Sequence, residues 1–158
     1  HNPGNMFVTL FLALYDPKSG ELSYANGGHC PPYIIDAASD APPRMLDKLS
    51  GPLVGVIPDM EYTLFTDTLK EQETCLIFTD GVTEAMNSDK ELYGEARLQD
   101  FLAAHRGASP RELLTLIFSE LVRFRGEEPQ SDDITMLAFC RTHNASVAQP
   151  TSTARTSS

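Results

Sequence analysis

The residues able to do chemistry form two acidic groups far apart in the chain. Asp80 stands in Cys75-Leu76-Ile77-Phe78-Thr79-Asp80-Gly81-Val82-Thr83-Glu84-Ala85-Met86, where an apolar run ends in an acid-glycine pair. That pattern reads as a buried strand breaking into a tight turn, with a carboxylate at the strand's C-terminal edge. Gly81 supports the turn, because it permits a positive φ that a bulkier residue resists. A carboxylate on a rigid strand end suits a metal ligand or a general base. The plainer alternative is that Asp80 caps a helix starting near Val82. The second group is Asp132-Asp133, leading into an apolar run over residues 134–140. If the two runs are neighbouring antiparallel strands, the end of one lies beside the start of the other. The acids then converge although 132 − 80 = 52 positions separate them.

Converging carboxylates repel, and a divalent cation relieves that repulsion. Hard oxygen ligands select Mg²⁺ or Mn²⁺ over zinc or copper. Such an ion, or a pair, lowers the pKa of bound water and clamps a phosphoryl group. The alternative is that Asp132 and Asp133 only cap the following strand through Asx-type turns. His29, in Gly27-Gly28-His29-Cys30-Pro31-Pro32, sits in a loop stiffened by two glycines and two prolines and is a candidate to face the site. A loop histidine can equally be structural.

The elements that must position these residues follow from pattern. Residues 6–15 are aromatic, β-branched and apolar on both faces, which predicts a central strand covered on both sides. Asp16-Pro17-Lys18-Ser19-Gly20 is a turn, since proline presets φ and glycine supplies the left-handed position. Residues 21–26 alternate and return antiparallel. Residues 33–36 form a short strand, 37–43 a loop and 50–59 an ordered connection. Residues 61–66 alternate as a further strand, and 67–73 form a polar turn. Leu98, Phe101 and Leu102 mark an amphipathic helix over 94–105. Ser109-Pro110-Arg111-Glu112 opens the next helix with a capping serine, a first-turn proline and a glutamate three residues past the cap. Its apolar stripe, Leu113 to Phe124, reads as core. Beyond Arg141 the chain is polar and has no core pattern. The organisation is therefore a domain over 1–141 and a disordered polar tail over 142–158.

Composition bounds the function. The chain has 158 residues, enough for one domain with a sizeable core, and 41% of them are hydrophobic. Its formal net charge of −10 argues against nucleic acid and anionic membrane as partners. No apolar run approaches the roughly 20 residues of a membrane span. No basic n-region of a signal peptide is visible. Cys30, Cys75 and Cys140 are odd in number and widely spaced, as expected of reduced residues in a cytoplasmic protein. No Cys-x-x-Cys and no His/Cys cluster points to zinc.

The order MFVTLF, then YANGGHCPP, PLVGV, FTDGVTEAMN, LYGEARL and SDDIT, resembles the SpoIIE/RsbU-type branch of the metal-dependent protein serine/threonine phosphatases (PPM family) over about residues 5–141. The resemblance implies an α+β fold, two packed antiparallel β-sheets flanked by helices in an α-β-β-α sandwich. It implies hydrolysis of phosphoserine or phosphothreonine on a protein with two Mn²⁺ or Mg²⁺ ions. By matched motif, Asp80 in FTDG and Asp132 in SDDIT take the places of the family's later metal-binding aspartates, in the catalytic centre. Asp133 takes the adjacent place, and Gly81 is the turn glycine. The usual substrate in that branch is a phosphorylated anti-sigma-factor antagonist of the STAS type, and a sensor or receiver domain is expected upstream. The family carries further acidic ligands before the MFVTLF strand. The expectation is therefore that the N-terminal strands and first helices lie outside this sequence, that these residues alone are weakly active or inactive, and that exposed sheet edges favour a dimer. Two other readings compete with this one. One is a non-catalytic relative that binds a regulatory partner through the same fold. The other is a haloacid-dehalogenase-type phosphatase, but Phe78 stands where that chemistry needs its nucleophilic aspartate.

Overall fold

The structure is a computed structural model, and it describes residues 6–142. Of the polar tail expected over residues 142–158, residues 143–158 lie outside the described residues.

Two antiparallel sheets and two helices make three layers. The first sheet has the order β1-β2-β5, from β1 (Leu10–Tyr15), β2 (Glu21–Gly27) and β5 (Phe65–Thr68). The second has the order β4-β3-β6-β7, from β3 (Tyr33–Asp36), β4 (Arg44–Met45), β6 (Glu73–Phe78) and β7 (Met136–Cys140). The helices are α1 (Gly94–Ala104) and α2 (Pro110–Arg125). The inner faces of both sheets bury Leu22, Tyr24, Ile34 and Cys75 with Leu46 and Leu69. The far face of the second sheet buries Tyr33, Ile35, Leu76 and Phe78 against Leu98, Leu102, Leu113, Ile117 and Leu121 of the helices. Alternation along each strand produces this division, since successive side chains point to opposite faces. Arg44 ties the sheets together. It pairs with Asp67 of β5 at 2.8 Å and with the buried Glu73 of β6 at 3.5 Å.

The expected first hairpin forms, with Leu10 opposite Gly27 and Tyr15 opposite Leu22. Among the described residues its first strand is an outer one, where the sequence reads residues 6–15 as a central strand covered on both sides. β1 lies at the edge of its sheet, and Leu10, Leu12 and Leu14 on the outer face are 46%, 61% and 76% exposed. Only Phe11, Ala13 and Tyr15 turn to the inter-sheet core. The expected strand over 61–66 is shifted to Phe65–Thr68, because β2 offers partners only from Glu21 to Tyr24. Tyr62 instead packs beside Gly27 and Gly51 and donates its hydroxyl to Pro52 O at 2.9 Å. β4 was not foreseen. The α2 stripe is only partly core: Leu113, Ile117 and Leu121 are buried, whereas Phe118 and Val122 are exposed.

The start of α2 is as the sequence predicts. Glu112 N–H donates to Ser109 Oγ at 3.4 Å, and Ser109 N–H donates to Glu112 Oε2 at 3.0 Å, with Pro110 at the first turn. The reciprocal pair satisfies two helix-end donors. Ser109→Ala is expected to cost about 1 kcal/mol in urea unfolding, the usual worth of such a cap.

Two buried acids set an alkaline limit. Burial pushes the Cys75 thiol from 9.0 up to about 12. Burial, and then the Glu120 charge, push Tyr93 from 10.0 up to about 12. Unfolded chains release these protons first, so the unfolded state binds fewer protons in that window and stability falls as pH rises. The contribution is whole below about pH 9, begins to fade there with Cys75 and above about pH 10 with Tyr93, and is gone above about pH 12. Thermal melts between pH 8 and 11 should show a falling midpoint, with a later onset in Cys75→Val.

Candidate active site

β6 delivers Asp80, and β7 receives the chain from Asp132 and Asp133. The strands are antiparallel neighbours, with Thr74 opposite Cys140 and Phe78 opposite Met136. Past the last strand pair the two chains stay joined. Thr79 N–H donates to Thr135 O at 3.0 Å, and Thr135 N–H donates to Thr79 Oγ1 at 3.0 Å. Thr79 Oγ1–H donates to Asp133 O at 2.9 Å. Asp80–Val82 then form a single 3-10 turn, closed where Glu84 N–H donates to Asp80 O at 2.7 Å. The far end of the loop is held by Ser131 Oγ on Glu84 O at 3.3 Å and by Gln130 Nε2 on Asp132 O at 2.7 Å. The two acidic segments therefore lie against each other.

Gly81 is required for a different reason from the one its sequence suggests. Its φ is not in the left-handed region. A β-carbon there would lie 2.5 Å from Asp133 O and 3.4 Å from Asp132 O. The glycine lets the 132–133 backbone sit on the turn. Asp80 does not cap a helix. Its Oδ1 accepts from Gly81 N–H at 3.0 Å, within the turn itself. Asp132 Oδ1 accepts from Asp133 N–H at 2.7 Å, an Asx-like contact of the kind the plainer reading expected.

Asp80, Asp132 and Asp133 are exposed, and among the described residues none of them is in an ion pair. Carboxylates free of protein cations are hard oxygen donors, which suits Mg²⁺ or Mn²⁺ in kind. In number they fall short: among the described residues no three His, Cys, Asp or Glu side chains group as a metal-holding set. The described residues thus match such an ion in donor type but do not by themselves group into a metal-holding set.

His29 stands between β2 and β3, half-buried, with Thr9 Oγ1 3.2 Å from its Nδ1. The next residue, Cys30, has its thiol pKa raised by burial and then by the Asp80 charge. Sequence reading missed the groups that hold this site together, which are Thr79, Gln130 and Ser131 at the acidic loop and Asn26 behind His29. Their signal was positional only, as polar residues flanking the motif residues.

Two stacked antiparallel sheets with one helical layer match part of the fold of a PP2C-type phosphatase domain. The structure resembles the SiaA-PP2C domain of Pseudomonas aeruginosa with a TM-score of 0.72 at 23% identity, over 84% of this chain and 51% of that one. The family model for stage II sporulation protein E (SpoIIE) matches residues 1–142, and the chain belongs to that family. Protein IcfG of Synechocystis is 38% identical over 141 residues, which are 89% of this chain and 22% of that protein. The phosphoserine phosphatase RsbU of Bacillus subtilis is 26% identical over 137 residues, 87% of this chain and 40% of that protein. The chain thus spans less than half the length of these two relatives. Among the described residues no helix is long and apolar enough to cross a membrane.

Proposed function

We propose that this chain is the part of a metal-dependent phosphoprotein phosphatase that carries Asp80 and Asp132 as metal-binding carboxylates, with Asp133 beside them. The observation that carries the reading is the seating of the 132–133 backbone on Gly81, which brings two unpaired acidic segments to one end of the β6–β7 pair. A divalent ion held there, Mn²⁺ or Mg²⁺, supplies an acidified water for attack on phosphorus. The chain's own contribution is to hold oxygen ligands on a strand end rather than on a loose loop. The substrate is a phosphoserine or phosphothreonine on a regulatory protein, and we assign it to the STAS-type anti-sigma-factor antagonists. The similarity to RsbU, a phosphoserine phosphatase by name, supports a phosphoserine as the reacting group. Two ions need more ligands than these carboxylates, so the remainder belongs to residues outside 6–142. We place the protein in the cytoplasm, under a sensor or receiver domain, in keeping with three free cysteines.

The test is metal removal from the full-length protein. Chelation is expected to abolish hydrolysis of a phosphoserine protein, and added Mn²⁺ to restore it. Turnover that survives chelation would overturn the reading.

A further inference from the structure

The segment between β2 and β3 reaches the same end of the second sheet as Asp80. β3 pairs with β6 so that Tyr33 faces Leu76 and Ile34 faces Cys75. Because the two strands are antiparallel, the chain before Tyr33 and the chain after Phe78 leave the sheet at the same end, which brings His29-Cys30 to the end that carries Asp80. The Asp80 charge acting on the Cys30 thiol agrees with this placement. Asp80 is thus flanked by the 132–133 loop on its β7 side and by His29-Cys30 on its β3 side.

The flank that bears His29 is held unusually firmly. Asn26 is fully buried, and its whole side chain serves one residue. Its Nδ2 donates to His29 O at 2.9 Å, and its Oδ1 accepts from His29 N–H at 2.8 Å. Its own backbone is locked by Ser50, with Asn26 N–H donating to Ser50 Oγ at 2.8 Å and Ser50 N–H donating to Asn26 O at 2.9 Å. A buried amide is costly unless its hydrogen bonds are made, and here one N–H and the oxygen are both spent on fixing one loop position. Gly28, with a φ of +77°, completes the turn. The ring is oriented as well, through Thr9 on Nδ1 at 3.2 Å. Nε2 has no hydrogen-bond partner among the described residues.

A phosphoryl group entering beside three carboxylates is repelled by them and needs donors of its own. We propose that His29 binds the phosphoryl group of the substrate through Nε2, with Asn26 and Thr9 as the residues that position it. This rests on the phosphatase reading above and adds a substrate contact to it. The ring nitrogen donates to a phosphoryl oxygen, so its loss weakens binding of both substrate and product phosphate.

The full-length enzyme tests this with inorganic phosphate as the probe. His29→Ala and His29→Asn are expected to raise the inhibition constant for phosphate about tenfold and KM for the phosphoprotein in parallel, leaving kcat within about threefold. His29→Gln, whose amide nitrogen falls near the place of Nε2, is expected to bind phosphate within about threefold of the wild type. Asparagine can replace only the Nδ1 contact to Thr9. Rescue by Asn and not by Gln would show a structural ring and overturn the proposal, as would an unchanged inhibition constant in all three variants. Asp80→Asn, run alongside, separates the two readings. Its inactivity together with unchanged phosphate binding in the position-29 variants removes only the role of His29, whereas a wild-type enzyme that hydrolyses no phosphoprotein removes the phosphatase reading itself.

Discussion

Asp80→Asn and Asp132→Asn are each expected to lower kcat/KM for a phosphoserine protein more than about 100-fold at limiting Mn²⁺. Losing a mere outer-shell partner of a metal typically costs 10–100-fold, and these are assigned as direct ligands. The amide oxygen is a weaker ligand and removes the charge that offsets the cation. Folding should be untouched, because both side chains are exposed and neither joins an ion pair among the described residues. Raising Mn²⁺ should return part of the activity by mass action. Asp133→Asn should fall less, and Asp89→Asn, on the surface excursion after the turn, should behave as wild type. The assay is steady-state turnover against Mn²⁺ concentration in the full-length protein. Turnover close to wild type in either main variant at limiting Mn²⁺ would remove that residue from the site.

Gly81→Ala should be nearly as damaging, through backbone and not charge. The added methyl would stand 2.5 Å from Asp133 O and 3.0 Å from its carbonyl carbon, and backbone cannot swing aside as a side chain can. The 130–134 loop must move off the turn. Overpacking of this kind costs typically 1–3 kcal/mol, and the Thr79 bonds to Asp133 and Thr135 are strained or lost with it. A displacement of about 1 Å in a positioned group can cost 100-fold in rate, and that is the expected loss of kcat. Gly107→Ala is the control, because nothing lies within 4 Å of its added carbon. Hydrogen exchange at residues 131–135 should rise in the Gly81 variant and stay unchanged in the control. Equal activity in both would mean that the close approach at Gly81 does not position the acids.

Much of this site is legible as sequence because its parts are local signals. The acid-glycine pair after an apolar run, the paired aspartates before another, and the capping serine of α2 each announce themselves within a few residues. Pairing of β6 with β7 follows from strands that must share one sheet if their acids are to meet. What the sequence hides is relative placement. Residues 6–15 read as buried on both faces, and among the described residues only Phe11, Ala13 and Tyr15 find core partners, while Leu10, Leu12 and Leu14 are exposed. The strand sought at residues 61–66 fails because β2 has turned to Ser50 by Asn26 and has no ladder left to offer. Gly81 reads as a φ requirement, but it answers a steric demand from a segment some fifty residues away, which no local window contains. Asn26 is invisible for the same reason: its meaning is the loop it holds.

The Thr79–Thr135 clasp divides the chain into places that tolerate length change and places that do not. Residues inserted in the surface turn at Asn87-Ser88-Asp89-Lys90-Glu91, or between α1 and α2 near Gly107, lengthen an excursion whose two ends are already fastened. The acids stay where they are. One residue inserted between Phe78 and Asp80, or between Asp133 and Met136, leaves the β6–β7 ladder intact but moves the acid one position along its chain, breaking the clasp and turning its side chain away from the site. Relatives of this chain should therefore vary freely in the length of their helical excursion, while the spacing from the β6 strand to its aspartate, and from the paired aspartates to β7, holds to the residue.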